Sequence, residues 1–456
     1  MFQFKSIFLW AAAGVLLAGC AGSRQAVLMG DLEEAAQAVY RSQSPADAVS
    51  ALPDFAGTIS LSDCRSYAAM QNPALKAAFF HWKAALEALT PAGTLPDPRF
   101  NFGYYIRAVE TRVGPQEQMA GIAQTFPWFG KLRLQKGIAA EVAVAAGARF
   151  ENQRRQLFYD VDRAYAEYWY LQQAAAVLRE NLELANSLET VALVKYRAGK
   201  ARHSDLMDVQ IEVARLQDRL SRLEVQQRHM RTRLNSLLNR PPAAELALPE
   251  VLPEDTLRVD LDTLSAHLKK AHPELAEVRA ESERERLQIR LARKAYYPDI
   301  TLGVDYINTG NALMAGTPDN SKDPLIARLS INLPLWRGAY AGKVKAAEAA
   351  YATQLQVEQV RENELLARLE VAYYSYRDNL RQEQLYRNTL LPRAEDAYAV
   401  LETLFATGAA PFSELIASYQ RKLEFSLTLQ RIRTDRFTRL AELGYLCGDE
   451  VVGWGN

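Results

Sequence analysis

The sequence contains few of the residues from which metal sites and enzyme centres are built. Only three cysteines and five histidines occur in 456 residues. The histidines form no HExxH pair, and the motifs GxSxG, GxxxxGK[ST] and GxGxxG do not occur. The 54 basic and 54 acidic residues cancel, so the chain has no net charge that would attract nucleic acid. We therefore expect neither an enzyme nor a cofactor, and neither a bound metal nor a nucleic-acid partner.

The sequence also lacks a long apolar run after its first residues. The one early run, IFLWAAAGVLL after Lys5, has the length of a secretory signal rather than of a membrane span. It ends in Leu17-Ala18-Gly19-Cys20, which resembles a bacterial lipoprotein signal whose cleavage leaves Cys20 as the lipid-carrying N-terminus. A plain secretory signal with a chance cysteine is the alternative. If the mature chain enters a membrane, we expect it to do so as β-strands.

Several short patterns occur twice in the chain. NPAL at residues 72–75 recurs as HPEL at 272–275, and YRAG…SDL, which begins at Tyr196, recurs as FATG…SEL from Phe405. The proline-rich segment 241–255 lies between the two halves and is typical of an extended linker. The sequence therefore predicts two copies of one structural plan.

Each half contains two predicted strands. Alternating apolar and polar residues predict strands at 99–107, 298–307 and 325–334, whereas 117–126 alternates poorly and is inferred from the repeat. Their lengths suit tilted transmembrane β-strands. Aromatic residues that would share one end of these strands resemble an aromatic belt at a water boundary: Phe126, Trp128, Phe129, Tyr296, Tyr297 and Trp336. A soluble β-subdomain with ordinary core aromatics explains the same pattern equally well.

Long helices are predicted after the strands, because no proline occurs between Pro127 and Pro241. Apolar residues at heptad spacing predict long helices at 130–196 and 338–404 and return helices at 206–239 and 413–446. We expect Pro392 to kink or break the second long helix.

The doubled fragment lies where each long helix turns back. In each copy a glycine ends the long helix, a serine is expected to cap the return helix, and an acid lies in its first turn. These residues are Gly199, Ser204 and Asp205 in the first copy and Gly408, Ser413 and Glu414 in the second. The segments 195–206 and 404–415 are therefore predicted hairpin tips. They would meet a partner or close a pore; ordinary turn chemistry accounts for the same residues.

Four strands are too few for a closed barrel, because the smallest barrels have about eight, and lipid does not tolerate open strand edges. A chain whose strands insert must therefore oligomerise. Two copies would give eight strands and three would give twelve, and only the wider barrel leaves a passage.

The order of these motifs resembles the TolC-type outer membrane efflux protein family, in its lipoprotein branch. The resemblance is carried by the lipoprotein signal, the NPAL and HPEL openings, the PWFGK and PLWRG strand exits and the two tips. It implies a mainly α fold with a membrane β-barrel portion, built from two helix-strand-strand-helix repeats. In the implied homotrimer, one 12-stranded β-barrel is continued by a long periplasmic coiled-coil α-barrel. The implied location is the outer membrane of a Gram-negative bacterium, with a lipid anchor at Cys20.

The implied function is that of the exit duct of a tripartite efflux system. Such a duct passively conducts substrates from a periplasmic adaptor and an inner-membrane pump, of the RND type, to the exterior. An outer membrane exporter of a type I protein secretion system and a periplasmic coiled-coil structural lipoprotein are the alternatives. Methionines and histidines are scattered along the chain, so the sequence does not name the substrate.

The predicted plan of the chain has six segments. They are a signal peptide at 1–19, a lipid-anchored segment at 20–60, the first repeat at 61–240, a linker at 241–261, the second repeat at 262–448 and a C-terminal tail at 449–456.

The resemblance also implies roles for residues of the tips and for two cysteines. Glu414, Asp205 and Asp208 are candidate acids of a periplasmic gate, although Ala417 stands where a second acid of the second tip is expected. The residues expected to contact the adaptor are Tyr196, Arg197, Gly199, Phe405 and Gly408. The family's layout brings Cys64 and Cys447 to the middle of the α-barrel as a candidate disulfide; two buried free thiols are the alternative.

Overall fold

The computed structural model describes residues 55, 57–199, 201–253, 257 and 259–449, and these fall into two compact units. The sheet unit consists of Phe80–Gly147 and Glu277–Glu358. The helical unit contains Ala148–Ala276, together with the described residues before Phe80 and after Glu358. In these described ranges, no helix has both the length and the apolar character that are needed to cross a bilayer. The signal peptide and Cys20 lie outside the described residues.

The same order of elements occurs twice, which confirms the predicted helix-strand-strand-helix repeat. The first half consists of α1 (Leu61–Gln71), α2 (Pro73–Glu87), α3 (Leu89–Ala92), β1 (Arg99–Thr111), β2 (Gly114–Phe126), α4 (Lys131–Arg197) and α5 (His203–Leu237). The second half consists of α6 (Leu261–Ala271), α7 (Pro273–Lys294), β3 (Ile300–Thr309), β4 (Leu325–Ile331), α8 (Arg337–Leu385), α9 (Leu391–Thr407) and α10 (Phe412–Cys447).

Each half opens with two helices that meet at a proline. α2 and α7 both begin with this proline, at a helix position where its missing N–H costs no hydrogen bond. In the first half, Asn72 Oδ1 accepts a hydrogen bond from Ala74 N at 2.9 Å. In the second half, His272 Nδ1 accepts one from Glu274 N at 3.2 Å. Two chemically different side chains therefore cap equivalent helices.

The four strands form one antiparallel sheet in the order β1-β2-β3-β4. Directly paired residues lie on the same face of a sheet, so the register defines rows that cross all four strands. The apolar face carries the rows Phe100–Ile122–Val304–Ala327 and Phe102–Ala120–Tyr306–Leu325. The polar face carries the rows Arg99–Ala123–Gly303–Arg328 and Asn101–Gly121–Asp305–Ile326.

β2 lies inside the sheet, although its sequence alternates poorly. The reason lies on the polar face, where Asp305 is only 4% exposed and its Oδ2 lies 2.6 Å from Nη2 of Arg328. A Cβ atom at Gly121 would collide with the carboxylate of Asp305. A small residue is therefore required in β2 opposite this ion pair, and small residues weaken the alternation that identifies a strand.

The two long helical segments differ in continuity. α4 is one uninterrupted helix of 67 residues, about 100 Å long at 1.5 Å per residue. Its counterpart changes at Tyr386–Leu390, a π-helical segment between α8 and α9. Pro392 follows this segment and has no N–H with which to bond the preceding turn, so the hydrogen-bond ladder shifts there. Helical residues nevertheless continue through Pro392, so the second long helix changes its hydrogen-bond pattern there and does not break.

Cys64 and Cys447 are both free thiols buried in the helical unit. Cys447 Sγ donates a hydrogen bond to Leu264 O at 3.5 Å, inside a cluster formed by α6, α8 and the end of α10. Cys64 has other neighbours, among them the charged groups of Asp63 and Arg240. Burial raises the pKa of each thiol to about 12, so both are protonated at neutral pH. The candidate disulfide is therefore corrected to two separate thiols.

Candidate functional site

Each predicted tip turns at a glycine, as expected. Gly199 has a φ of 71° and Gly408 a φ of 83°, in the left-handed region that favours glycine. The amide of Gly199 donates to Tyr196 O at 2.9 Å, and that of Gly408 donates to Phe405 O at 3.1 Å. No heavy atom lies within 4 Å of a Cβ position at either glycine. Backbone conformation, rather than crowding, is therefore the reason for both glycines.

The capping residues of the return helices differ from the expected ones. The last residue with extended backbone before α5 is Arg202, and the last one before α10 is Pro411. Ser204 and Ser413 consequently lie inside the first helical turn. They are not at the N-cap position, from which a hydroxyl accepts a hydrogen bond from an N–H group two or three residues later. The prediction that these serines are the N-caps is wrong.

The three candidate gate acids have unequal surroundings. Asp205 is half-buried, and its carboxylate accepts a hydrogen bond from Arg202 N at 3.0 Å. Glu414 cannot form the equivalent bond, because Pro411 has no N–H. Glu414 and Asp208 are exposed, and neither carboxylate makes a hydrogen bond or an ion pair with another described residue. Of the three acids, only Asp205 therefore stabilises the turn through a hydrogen bond of its carboxylate.

Behind the tips, apolar residues of α4, α5, α9 and α10 form one buried group, the tip cluster. Its members next to the turns are Leu188, Ala192, Leu206, Val209, Val213, Leu216, Tyr398, Phe405, Phe412, Leu415, Tyr419 and Leu423. The α5 members repeat at the heptad spacing from which this helix was predicted. The cluster joins the two hairpins into one packed body inside the helical unit.

Phe405 belongs to this tip cluster rather than to the tip surface. Its side chain is only 8% exposed, and its ring centroid lies 5.3 Å from that of Phe412. Lys195 Nζ donates a hydrogen bond to Phe405 O at 2.5 Å and lies 3.8 Å from the centroid of the Phe405 ring. The expected contact of the Phe405 side chain with an adaptor is therefore corrected, because this side chain packs inside the chain.

Two other expected contact residues do reach the surface. Arg197 is exposed at the end of α4, and Tyr196 is exposed beside the ring of His203, with 5.3 Å between the two ring centroids. The structure thus brings Tyr196, Arg197 and the two glycines to exposed turns.

Polar contacts inside the tip cluster have no recognisable sequence motif. Gln420 Nε2 donates to the largely buried Glu212 Oε2 at 2.8 Å, which links α10 to α5. Tyr419 donates its hydroxyl to Asn181 O at 2.7 Å, and burial raises the pKa of Tyr419 above its ordinary value. In sequence, Glu212 is merely a polar residue next to a heptad position. These contacts join α10 to α4 and to α5.

Among the described residues, no group of three or more His, Cys, Asp or Glu is arranged to hold a metal ion. Neither the tips nor the sheet therefore offers a described set of metal ligands.

The sheet unit presents a second candidate functional surface, the apolar face. Its side chains are exposed in the single chain: Phe100, Phe102, Ile122, Leu302, Val304, Leu329 and Ile331. A continuous exposed apolar surface of this kind marks contact with a membrane or with another chain.

Aromatic rings gather at the end of the sheet from which the chain enters the long helices. The rings of Trp128 and Tyr297 stack with centroids 5.3 Å apart, and Phe129 contacts Trp128 edge-on at 5.7 Å. Trp336, after β4, is 77% exposed. These residues belong to the predicted aromatic belt.

The chain matches the family described as "Outer membrane efflux protein" over residues 64–240 and 264–424, which together are more than half of its length. A comparison with curated proteins gave no match. The two matched ranges fall on the two structural repeats.

Solved structures with the same fold come from several bacteria. The outer membrane protein VceC from Vibrio cholerae has 18% identity and a TM-score of 0.72, with 85% of this chain and 96% of that chain covered. The outer membrane channel CmeC from Campylobacter jejuni has 13% identity and a TM-score of 0.72, with 85% of both chains covered. The open-state MtrE outer membrane channel from Neisseria gonorrhoeae has 15% identity and a TM-score of 0.70, with 85% of this chain and 88% of that chain covered. The chain therefore belongs to the outer membrane efflux protein family and is an outer membrane efflux duct of tripartite systems.

Proposed function

We propose that three copies of this chain form a homotrimer in which their sheets close one 12-stranded β-barrel in the outer membrane. The observation that carries this proposal is the exposed apolar face of a sheet whose edge strands, β1 and β4, each pair on one side only. In lipid, the free backbone groups of these edges need partners. Three copies supply twelve strands and leave no edge.

The two faces of the sheet then have different surroundings. Membrane barrels present apolar residues to lipid and polar residues to the lumen. The apolar face would contact lipid, and the polar face, with Arg99, Asp305 and Arg328, would line a water-filled passage. The aromatic residues around Trp128 and Tyr297 would lie at the periplasmic boundary of the membrane.

The helical units of three copies would form the periplasmic α-barrel of the duct. We propose that its tips meet a periplasmic adaptor, which connects the duct to an inner-membrane pump of the RND type. The exposed Tyr196 and Arg197, together with the turns at Gly199 and Gly408, support a contact surface there. Substrates would pass from the pump to the exterior without chemical change in the duct.

The exposed acids of the tips would act as a gate. In a trimer, the three copies of Glu414 and of Asp208 are repeated around one axis, so like charges would face one another when the tips approach. Such rings of carboxylates resist close approach and favour cations in a narrow pore. Asp205 would contribute less, because its carboxylate is engaged by Arg202 N.

We further propose that Cys20 carries a lipid anchor in the outer membrane. The apolar run before it and the sequence Leu17-Ala18-Gly19-Cys20 support this assignment. The anchor would supplement the barrel and would not replace it.

A charge placed on each face of β4 tests the barrel. Leu329 lies on the apolar face and Ser330 on the opposite one, and both are exposed in the single chain. We expect Leu329→Arg to disturb membrane assembly, at a cost of up to about 2–4 kcal/mol per copy near the bilayer centre. Ser330→Arg is the matched control and should assemble. The measurement is the heat-modifiable trimer on gels of unboiled outer membrane extracts.

Two results would contradict the barrel. Assembly of both variants at the wild-type level would mean that the apolar face does not contact lipid. A wild-type protein that is extracted from the outer membrane only as a monomer would exclude the homotrimer.

The partners are tested by replacing Tyr196 with a photo-crosslinking amino acid in living cells. We expect a cross-link to a periplasmic adaptor and co-purification of an RND pump with it; co-purification of a type I secretion transporter in place of an RND pump would contradict this partner.

A further inference from the structure

The polar face of the sheet carries two arginines on one cross-strand row. Arg99 on β1 pairs with Ala123, Ala123 pairs with Gly303, and Gly303 pairs with Arg328 on β4. The residues between the two arginines are thus alanine and glycine, which are too small to cover a guanidinium group. Arg99 is exposed, and the side chain of Arg328 is 54% exposed.

The positive charge of this row is only partly neutralised. Arg328 is paired with Asp305, whose carboxylate is buried beside Gly121. Arg99 forms no ion pair with any described residue, and this includes Asp97, which precedes β1. Each copy of the chain therefore carries one arginine on this row without a countercharge.

The row lies near the end of the sheet at which β2 leads into α4, because Ala123 is close to the end of β2 at Phe126. In the proposed duct this is the first part of the barrel that a solute enters from the periplasmic side.

We propose that Arg99 and Arg328 form a ring of positive charge in the lumen, which acts as a transit site for anionic solutes such as carboxylates, phosphates and inorganic anions. This inference depends on the proposed trimer and on the inward direction of the polar face. Three copies contribute six arginines and three Asp305 carboxylates, so the ring keeps three positive charges. The charge is opposite in sign to that of the acids at the tips.

The effect is local and depends on salt. Fixed charges in a cleft with low-dielectric walls raise the concentration of counterions near them. Screening limits this effect to about 10 Å at 0.1 M ionic strength and to about 3 Å at 1 M. We therefore expect the ring to attract anions at low salt and to lose most of this influence at high salt.

A reporter cysteine on the same row measures the local charge directly. Ala123→Cys places a thiol between the two arginines, while Cys64 and Cys447 are buried. The rates of modification by an anionic sulfonatoethyl and a cationic trimethylammonioethyl methanethiosulfonate are compared in the assembled protein. We expect the ratio of the anionic rate to the cationic rate to exceed that of a small free thiol.

Removal of the unpaired arginine should lower this ratio. The two reagents carry opposite unit charges. A change in the local electrostatic potential that shifts the energy of one unit charge by half the thermal energy therefore changes the ratio of their rates by about threefold. We expect Arg99→Gln to lower this ratio by about that factor or more. Arg99→Glu should reverse the preference. Arg112→Gln, in the turn at the other end of β1, is the matched control and should leave the ratio unchanged. Arg99 is tested first, because removal of Arg328 would leave Asp305 buried without its partner.

The outcomes separate this inference from the proposed duct. An unchanged ratio in Arg99→Gln and Arg99→Glu, with a reactive reporter, would overturn the arginine ring and leave the duct intact. A second reporter, Ala327→Cys, lies on the apolar face. Rapid modification of Ala327→Cys together with an unreactive Ala123→Cys would show that the polar face is not in water. That result would overturn the proposed direction of the sheet itself.

Discussion

Lys195 connects the first tip to the second through Phe405. Its Nζ atom donates to Phe405 O at 2.5 Å and lies over the Phe405 ring, 3.8 Å from the centroid. Phe405 is in the last turn of α9, where the helix dipole attracts a cation, and its carbonyl also accepts the amide of Gly408. One lysine thus adds a second hydrogen bond at a helix end and holds a buried aromatic ring against α4.

We expect Lys195→Met to loosen the tips without unfolding the trimer. The lost cation–π contact and helix-end interaction are together worth about 1–2 kcal/mol, which corresponds to roughly tenfold faster opening. Amide hydrogen exchange of the segments around Gly199 and Gly408 measures this opening. Arg197→Met, an exposed cation in the same turn, is the control. Equal exchange in both variants would mean that Lys195 makes no net contribution to the tips.

Much of the helical architecture was predictable because it depends on local and periodic signals. The heptad spacing of Leu206, Val209 and Val213 identified α5, and these residues are buried in the tip cluster. Pro392 identified the place where the hydrogen-bond pattern changes between α8 and α9, although the helix does not break there. β2 was inferable only from the repeat. Gly121 must be small because it faces Asp305 on β3, and small residues weaken the alternation that identifies a strand.

The functional surface was less predictable, because the residues that define it depend on tertiary contacts. The fragment around Phe405 identified a tip, but the burial of its side chain depends on Phe412 and Lys195. Likewise, serine is a strong N-cap former, yet extended Arg202 and Pro411 precede the helices. A difference of one or two residues in the start of a helix lies below what sequence patterns resolve.

His272 should make the stability of the helical unit depend on pH. Burial is the main cause that lowers the pKa of His272 to about 4, and the residue is only 1% exposed. In the unfolded chain the imidazole has its ordinary pKa of 6.5. As the pH falls from 6.5 towards 4, the unfolded state therefore binds the proton first, and up to about 3 kcal/mol of stability is lost.

The first repeat supplies the variant that tests this dependence. Asn72 caps α2 as His272 caps α7, so His272→Asn keeps an acceptor for the amide of Glu274 and removes the titrating group. We expect a smaller loss of thermal stability between pH 7 and pH 4.5 in this variant. His267→Asn changes an exposed histidine of α6 and should retain the wild-type pH dependence. The same pH dependence in all three proteins would contradict the assignment to His272.

Cys64 and Cys447 should behave as two protected free thiols. Burial and the raised pKa of both groups suppress the reactive thiolate, so the folded protein should react negligibly with a thiol reagent at pH 8. Denaturation without a reductant should expose two thiols per chain. A thiol count near zero after denaturation would show that the two cysteines are joined by a disulfide in the cell.

Cys20→Ala should abolish lipidation. The variant should lose labelling with radioactive palmitate and should not be processed by the lipoprotein signal peptidase, whereas Cys64→Ala should be labelled normally. Insertion of the strands should tolerate the loss of the lipid. Normal labelling of Cys20→Ala would contradict the anchor.

Glu414 and Asp205 should have separable effects on the channel. Asp205→Ala removes the bond to Arg202 N and should loosen the first turn of α5 by about 1 kcal/mol, whereas Glu414 makes no such bond. Glu414→Ala should therefore leave the tips stable but alter single-channel conductance and weaken cation selectivity in planar bilayers. Glu395→Ala, an exposed acid of α9 farther from the turn, is the control. Unchanged currents in a correctly assembled Asp205→Ala and Glu414→Ala double variant would leave both acids with turn chemistry as their only role.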